Sequence, residues 1–269
     1  MTNAENSELS DLGVAHLLAD AARAVILPHF RQPGLMAQNK CAGGFDPVTI
    51  ADRAAEQAMR DLLTEHRPGD GILGEEFGSM PGDSGRQWVL DPIDGTRGFI
   101  SGTPTWGVLI ALADQNGPIL GLIDQPYTQE RFIGGLGHAE MTGPHGSMAL
   151  STRDGVALDR AILFSTFPEV GSAVERAGFQ AVSRQVKLTR YGMDCYAYAL
   201  LAAGQIDLVI EAGLNAYDIQ APIAVIQAAG GVVTDWQGGP AHDGGRVLAA
   251  ANAELHAAAL RTLSQTPEG

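Results

Sequence analysis

Basic residues are scarce in this 269-residue chain: 17 Lys and Arg stand against 31 Asp and Glu, for a formal net charge of -14. A nucleic-acid surface needs clustered Lys and Arg to release counterions from phosphates, so that class of partner is excluded. Cysteine is sparse too. Cys41 and Cys195 sit in neither a zinc nor a redox spacing and read as reduced thiols. Long apolar runs are missing, so no transmembrane helix is expected and no membrane partner. The start Met1-Thr2-Asn3-Ala4-Glu5-Asn6 lacks the basic and apolar stretches of a signal peptide, and a cytoplasmic protein is expected. The seven histidines are scattered, and none pairs with another His or Cys at metal-ligand spacing. His138, His145 and His242 fall in loop-like segments and read as solvated. No Gly-X-Gly-X-X-Gly run follows a strand, which removes a dinucleotide site. What is present is an ordinary soluble composition, 45% apolar and 18% charged, long enough for one large domain or two modest ones. The acidic excess is then either a solvating surface or a set of carboxylates converging on cations, and position decides.

Ser10-Asp11 opens a helical pattern with Leu12, Ala15, Ala19, Ala22 and Ile26 on one face. Asp46-Pro47 reads as N-cap and first residue of a second helix, with the stripe Ile50, Ala54, Ala58 and Leu62. Short apolar runs at Ile72-Leu73 and Trp88-Val89-Leu90 lead directly into acids. Consecutive strands follow at 105–113, 119–124 and 131–133, with Asn116-Gly117 as a hairpin turn. Gly134 to Ser147, rich in Gly, Pro and His, reads as an irregular connection and a subdomain boundary. Beyond it strands (161–165, 186–188, 206–210, 232–234, 247–248) alternate with helices (170–177, 195–203, 219–229, 253–263). The expected class is α/β with an α+β N-terminal half, divided into subdomains 1–146 and 147–269.

Four acidic clusters fall at element ends: Asp46-Pro47-Val48-Thr49, Gly74-Glu75-Glu76, Asp91-Pro92-Ile93-Asp94-Gly95-Thr96 and Tyr217-Asp218. Helix capping would account for Asp46 and for Asp218, with Pro222 in the first turn of its helix. A solvated turn would account for Glu75 and Glu76. The Asp91 segment resists such readings. Two aspartates straddle a Pro-Ile pair directly after a buried strand, and Pro92 restricts the backbone between them. A hard dication takes carboxylate, carbonyl and water oxygens. Asp91, the Ile93 carbonyl and Asp94 offer the protein part of that set. Gly95 and Thr96 follow where a helix begins, with N–H groups suited to an anion. Neighbouring cation and anion sites are what metal-assisted phosphoryl chemistry requires.

These motifs, in this order, resemble the inositol monophosphatase superfamily: Gly74-Glu75-Glu76, then Asp91 to Thr96, then Tyr217-Asp218 with Ala229-Gly230-Gly231. Tyr217 stands where the family pattern has Trp. The resemblance implies a layered αβαβα sandwich, a homodimer, a small phosphate ester as substrate and two or three Mg2+ per subunit. It assigns Glu75, Asp91 and the Ile93 carbonyl to one ion, and Asp91, Asp94 and Asp218 to another. Phosphate would bind the Gly95 and Thr96 N–H groups. Thr96 backed by Asp46, together with Glu75, would orient and deprotonate the attacking water. Lys40 matches a lysine near the family's site. The chemistry implied is direct attack of water on phosphorus, without a covalent phosphoenzyme.

Within the superfamily the chain is most similar to the histidinol-phosphatase branch, through segments 95–102, 106–112, 121–126 and above all 191–201. Inositol-hydrolysing members carry small neutral residues where Asp194 stands. Histidinol phosphate brings an ammonium and an imidazole, so its pocket should offer carboxylates beyond those taken by metal. Asp194 and Glu211 are the candidates. An N-cap role for Asp194 on the following helix is the competing reading, and Arg97 reads as a surface ion-pair partner. An inositol-1-monophosphatase or a broad small-molecule phosphatase is the alternative within this chemistry. A metal-stabilised protein acting through a partner is the alternative outside it.

Overall fold

The computed structural model describes residues 9–33 and 49–267, and the backbone of two short strands at 38–39 and 47–48. Ser10 caps α1 (Asp11–Ile26), its Oγ accepting the Gly13 N–H at 3.1 Å. The short strands β1 (Gln38–Asn39) and β2 (Pro47–Val48) pair antiparallel. Pro47 therefore begins a strand instead of opening a helix. The second helix, α2 (Ile50–His66), is capped by Thr49 in a capping box with Asp52. Starting there, it buries Ala51, Ala55, Met59 and Leu63, leaving Ile50 68% exposed. The expected stripe was one residue out of phase, because the buried face also takes Asp52 and Glu56, two acids bound to backbone N–H groups.

The first sheet contains β3 (Gly71–Gly74), β4 (Gly78–Met80), β5 (Gln87–Asp94), β6 (Gly107–Asp114), β7 (Gly117–Gln125), β8 (Glu130–Gly135), β9 (His138–Gly143) and β10 (Gly146–Ala149). Its order is β10-β9-β8-β7-β6-β5-β3-β4, antiparallel except where β3 meets β5. A six-residue helix, α3 (Thr96–Ser101), follows β5. The hairpin at Asn116-Gly117 forms between β6 and β7. The segment from Gly134 to Ser147 is not irregular, as expected, but supplies the end of β8, all of β9 and the start of β10. Strand β9 is half-buried and β10 exposed. Ladder hydrogen bonds hold them, so they leave no apolar alternation to read. His138 accordingly opens a strand, while His145 lies in an exposed turn.

The second half runs β11 (Ile162–Ser165), α4 (Ala173–Ser183), β12 (Leu188–Tyr191), α5 (Asp194–Ala202), β13 (Leu208–Asn215), α6 (Ala216–Ala228), β14 (Val232–Thr234), β15 (Gly244–Ala250) and α7 (Ala253–Leu263). The sheet order is β12-β11-β13-β15-β14, with parallel pairs around β11 and antiparallel pairs around β15. Helix α4 begins three residues later than expected, at a Ser172–Glu175 capping box.

Period-two alternation sends each strand's side chains into two cores. Val108, Ile110 and Leu112 pack with α1 and α2. Leu109 and Ala111 face the other way, into a core shared with α5, α6 and Val209, Val247 and Ala249 of the second sheet. The far face of that sheet packs Leu163, Leu208 and Leu248 against α4 and α7. The layers are thus α1α2, first sheet, α5α6, second sheet, α4α7: the expected αβαβα sandwich. No helix among the described residues is long and apolar enough to cross a membrane.

Candidate metal and phosphate site

Strand β5 delivers the two acids of the 91–96 segment. Asp91 is 2% exposed, and its Oδ1 accepts the Ile93 N–H at 3.0 Å. The pairing of β5 with β6 breaks register between Asp91 and Asp94. That irregularity lets both carboxylates face one cavity instead of following strict alternation. Gly95, at φ 82°, turns the chain into α3, whose first residue is Thr96. The left-handed conformation there favours glycine. The Thr96 hydroxyl donates to the Ile93 carbonyl at 3.1 Å, leaving that carbonyl a second lone pair.

Asp218 comes from the opposite layer. Asn215, not Asp218, caps α6, and Asp218 is its third residue, with Oδ2 accepting the Asn215 N–H at 2.6 Å. Since the helix starts at Ala216, Pro222 lies inside it and not in its first turn. One oxygen each from Asp91, Asp94 and Asp218 lies within 4.8 Å of the others. Glu75, in the turn after β3, lines the same cavity and bears directly on the Asp91 carboxyl. Burial pushes Asp91 well above the usual carboxylate range, and repulsion from Glu75, Asp94 and Asp218 pushes it further. Asp94 is raised by burial and by Asp194 and Asp218. Crowded all-oxygen donors of this kind, one buried and two half-buried, fit a hard divalent cation, whose charge would offset that repulsion.

The cavity, about 320 Å3, continues past these acids. Glu211, on β13 and 6% exposed, accepts the Thr166 N–H at 2.8 Å and the Thr166 hydroxyl at 2.6 Å. Burial nonetheless raises it to about 7, against the effect of Thr166. Asp194 is raised to about 6 by burial, opposed by the nearby Arg97 charge and a Thr105 hydrogen bond. Its N-cap role is not observed: Met193 occupies that position, and Asp94 supplies the cap, Oδ2 accepting the Cys195 N–H at 2.6 Å. Asp194 instead sits at φ 45°, a strained conformation for a residue with a Cβ.

The fold therefore brings Glu75, Asp91, Ile93, Asp94, Gly95, Thr96, Asp194, Glu211 and Asp218 around one cavity. Asp46 and Lys40 lie outside the described residues. Sequence reasoning missed three further members. Arg97 is exposed, but at the cavity rim and stacked 4.7 Å over Phe167; it is the cation among the described lining residues. Phe167 arrives from the loop after β11. Tyr198, 2% exposed, places its hydroxyl under the influence of Glu211, Asp94 and Asp218, which with burial raise its pKa well above the usual range. Its position four residues beyond Asp194 on one helix was the available signal.

A family model described as the inositol monophosphatase family matches residues 9–268. The bifunctional phosphatase IMPL2, chloroplastic, of Arabidopsis thaliana is 41% identical, covering 98% of this chain and 79% of that one. A histidinol-phosphatase of Streptomyces coelicolor is 35% identical over 96% of this chain and 98% of its own. Among solved structures, an inositol monophosphatase from Zymomonas mobilis superposes with a TM-score of 0.83 at 42% identity, covering 94% of this chain and 97% of that one.

Proposed function

Because the chain belongs to the inositol monophosphatase family, and so is a phosphoric monoester hydrolase, we propose that it is a magnesium-dependent histidinol-phosphatase, releasing phosphate from L-histidinol phosphate. In this reading Glu75, Asp91, Asp94, Asp218 and the Ile93 carbonyl hold Mg2+. The bound cations would make water a better nucleophile and neutralise charge on the departing alkoxide. The chain's own groups do the rest. Gly95 and Thr96, at the start of α3, receive the phosphate through backbone N–H groups. Thr96, backed by Asp46, and Glu75 orient the attacking water and take up its proton. Substituting Asp91 by Asn should lower turnover by roughly a thousandfold, since the cations stabilise the transition state by several kcal/mol. A protein that worked by binding a partner would survive that change.

The observation that carries the substrate assignment is the surplus of carboxylates. Glu211, buried, and Asp194, half-buried, line the same cavity outside the three-aspartate cluster, and are raised to about 7 and about 6. An ammonium or imidazolium on the released alcohol would offset that unfavourable charge, and a neutral polyol would not. The Streptomyces relative, named a histidinol-phosphatase, supports the same choice. Inositol 1-phosphate is the second reading, because Glu211 can accept hydrogen bonds from ring hydroxyls and the Zymomonas relative is named an inositol monophosphatase. Phosphate release with Mg2+ from histidinol phosphate, inositol 1-phosphate, a nucleotide and fructose 1,6-bisphosphate decides. The highest kcat/KM is expected for histidinol phosphate. A large margin in favour of inositol 1-phosphate would falsify the assignment.

A further inference from the structure

Helix α2 buries a carboxylate that does not line the cavity. Glu56 is 0% exposed. Its Oε2 accepts the Glu76 N–H at 2.7 Å, and its Oε1 accepts the Phe77 N–H at 3.1 Å and the Arg60 Nε–H at 2.7 Å. These two backbone N–H groups belong to the turn between β3 and β4, directly after Glu75. On the other side, the Glu75 N–H donates to the Leu90 carbonyl at 3.2 Å, one residue before Asp91. The backbone of Glu75 is thus held between β5 and the Glu56 carboxylate. Gly74 completes the arrangement, since a Cβ there would overlap the Glu56 carboxyl group. Arg60 reaches over to the Gly78 carbonyl and closes the turn from outside.

We propose that Glu56 is a positioning residue for the cation site: by accepting the Glu76 and Phe77 N–H groups it fixes the turn that aims Glu75 at Asp91. The inference rests on the reading that Glu75 and Asp91 share a divalent cation. A buried carboxylate with two backbone donors and one guanidinium has its hydrogen-bonding capacity largely used, so it holds the turn rigidly. Outer partners that orient a ligand typically control metal affinity by 10–100-fold. Glu56→Gln replaces one acceptor oxygen by an amide NH2, which sets a donor against a backbone N–H. Gly74→Ala attacks the same contact from the other side, by pushing the carboxylate away.

Mn2+ binding, read as free Mn2+ by electron paramagnetic resonance, tests this on the full chain at temperatures below each variant's Tm. The comparison set is the wild type, Glu56→Gln, Gly74→Ala, Glu75→Gln and Leu263→Ala. Leu263 is buried in the outermost layer, far along the fold from the cation cluster. Its truncation lowers Tm through a cavity and should leave Mn2+ affinity unchanged. Glu56→Gln and Gly74→Ala should each raise the Mn2+ Kd by about 10–100-fold. Wild-type affinity in Glu56→Gln overturns the inference; if that variant does not fold, wild-type affinity in Gly74→Ala overturns it. A matching loss in Leu263→Ala also overturns it, because affinity would then follow stability. If the wild type binds no Mn2+, or if Glu75→Gln binds it equally well, the reading of Glu75 as a ligand falls, and this inference with it.

Discussion

Asp194 carries two separable loads, a strained backbone and a half-buried carboxyl group raised to about 6. Its φ of 45° is costly for any residue with a Cβ. Asp194→Gly should therefore be more stable than Asp194→Ala by about 1 kcal/mol, read as a difference in denaturant midpoint. Both should lose histidinol-phosphate kcat/KM by about 10–100-fold, since a hydrogen bond to a charged group is worth roughly 1.5–3 kcal/mol. Inositol 1-phosphate turnover should change far less. Unchanged histidinol-phosphate turnover in Asp194→Ala would remove the carboxylate-pocket argument. Glu211 gives a pH signature. Its folded pKa, about 7, lies above the ordinary Glu value of 4.5, so between those values the folded state binds more protons than the unfolded one. Its contribution to stability then falls as pH rises through that window. In metal-free protein, the Tm of Glu211→Gln minus that of wild type should grow more positive from pH 5 to pH 8. A flat difference would mean that the burial of Glu211 costs little.

At the scale of elements, α6 does most to assemble the site. It is buried on nearly all sides between two sheets, from Ile219 to Ile226, as a helix without a polar stripe must be. It approaches the first sheet so closely that a Cβ on Gly121 would overlap the Ala221 carbonyl, and one on Gly134 the backbone at Val225. Those two glycines set the height of α6 above β7 and β8, and with it the distance from Asp218 to Asp91. Gly134→Ala should destabilise by about 1–3 kcal/mol through overpacking. It should also weaken Mn2+ binding, although residue 134 lines no part of the cavity. Chemical denaturation and metal titration of one preparation measure both effects.

The whole molecule places its three-aspartate cluster where layers meet: Asp91 and Asp94 come from the first sheet, Asp218 from the helix layer beneath it. A ligand shared between layers stabilises the fold by mass action, by about 2.7 kcal/mol at a hundred times its Kd. Mn2+ or Mg2+ should thus raise Tm in a concentration-dependent way. Asp91→Asn and Asp218→Asn should each abolish most of the rise, despite lying 127 residues apart. A metal-induced rise that persists in Asp218→Asn would separate that residue from the cation site.

Much of this was legible in the chain. Glu75, the acids of the 91–94 and 217–218 motifs and the last helix, Ala253–Leu263, follow from local pattern, and the αβαβα layering from the family resemblance that the motif order carries. Such features are written in contiguous residues, as caps, turns and periodicity. Other features are not. The stripe of α2 was misphased because burying Asp52 and Glu56 depends on which N–H groups face them. Strands β9 and β10 were missed because ladder hydrogen bonds to a neighbour leave no mark on hydropathy. The cap of α5 comes from Asp94, 101 residues away. By itself, then, the sequence determined that a phosphatase-type set of acidic motifs exists and in what order. The tertiary structure alone decided which carboxylates share one cavity, and which buried groups hold them there. Burial, mutual repulsion and hydrogen bonding are properties of neighbours in space, and chain order does not record them.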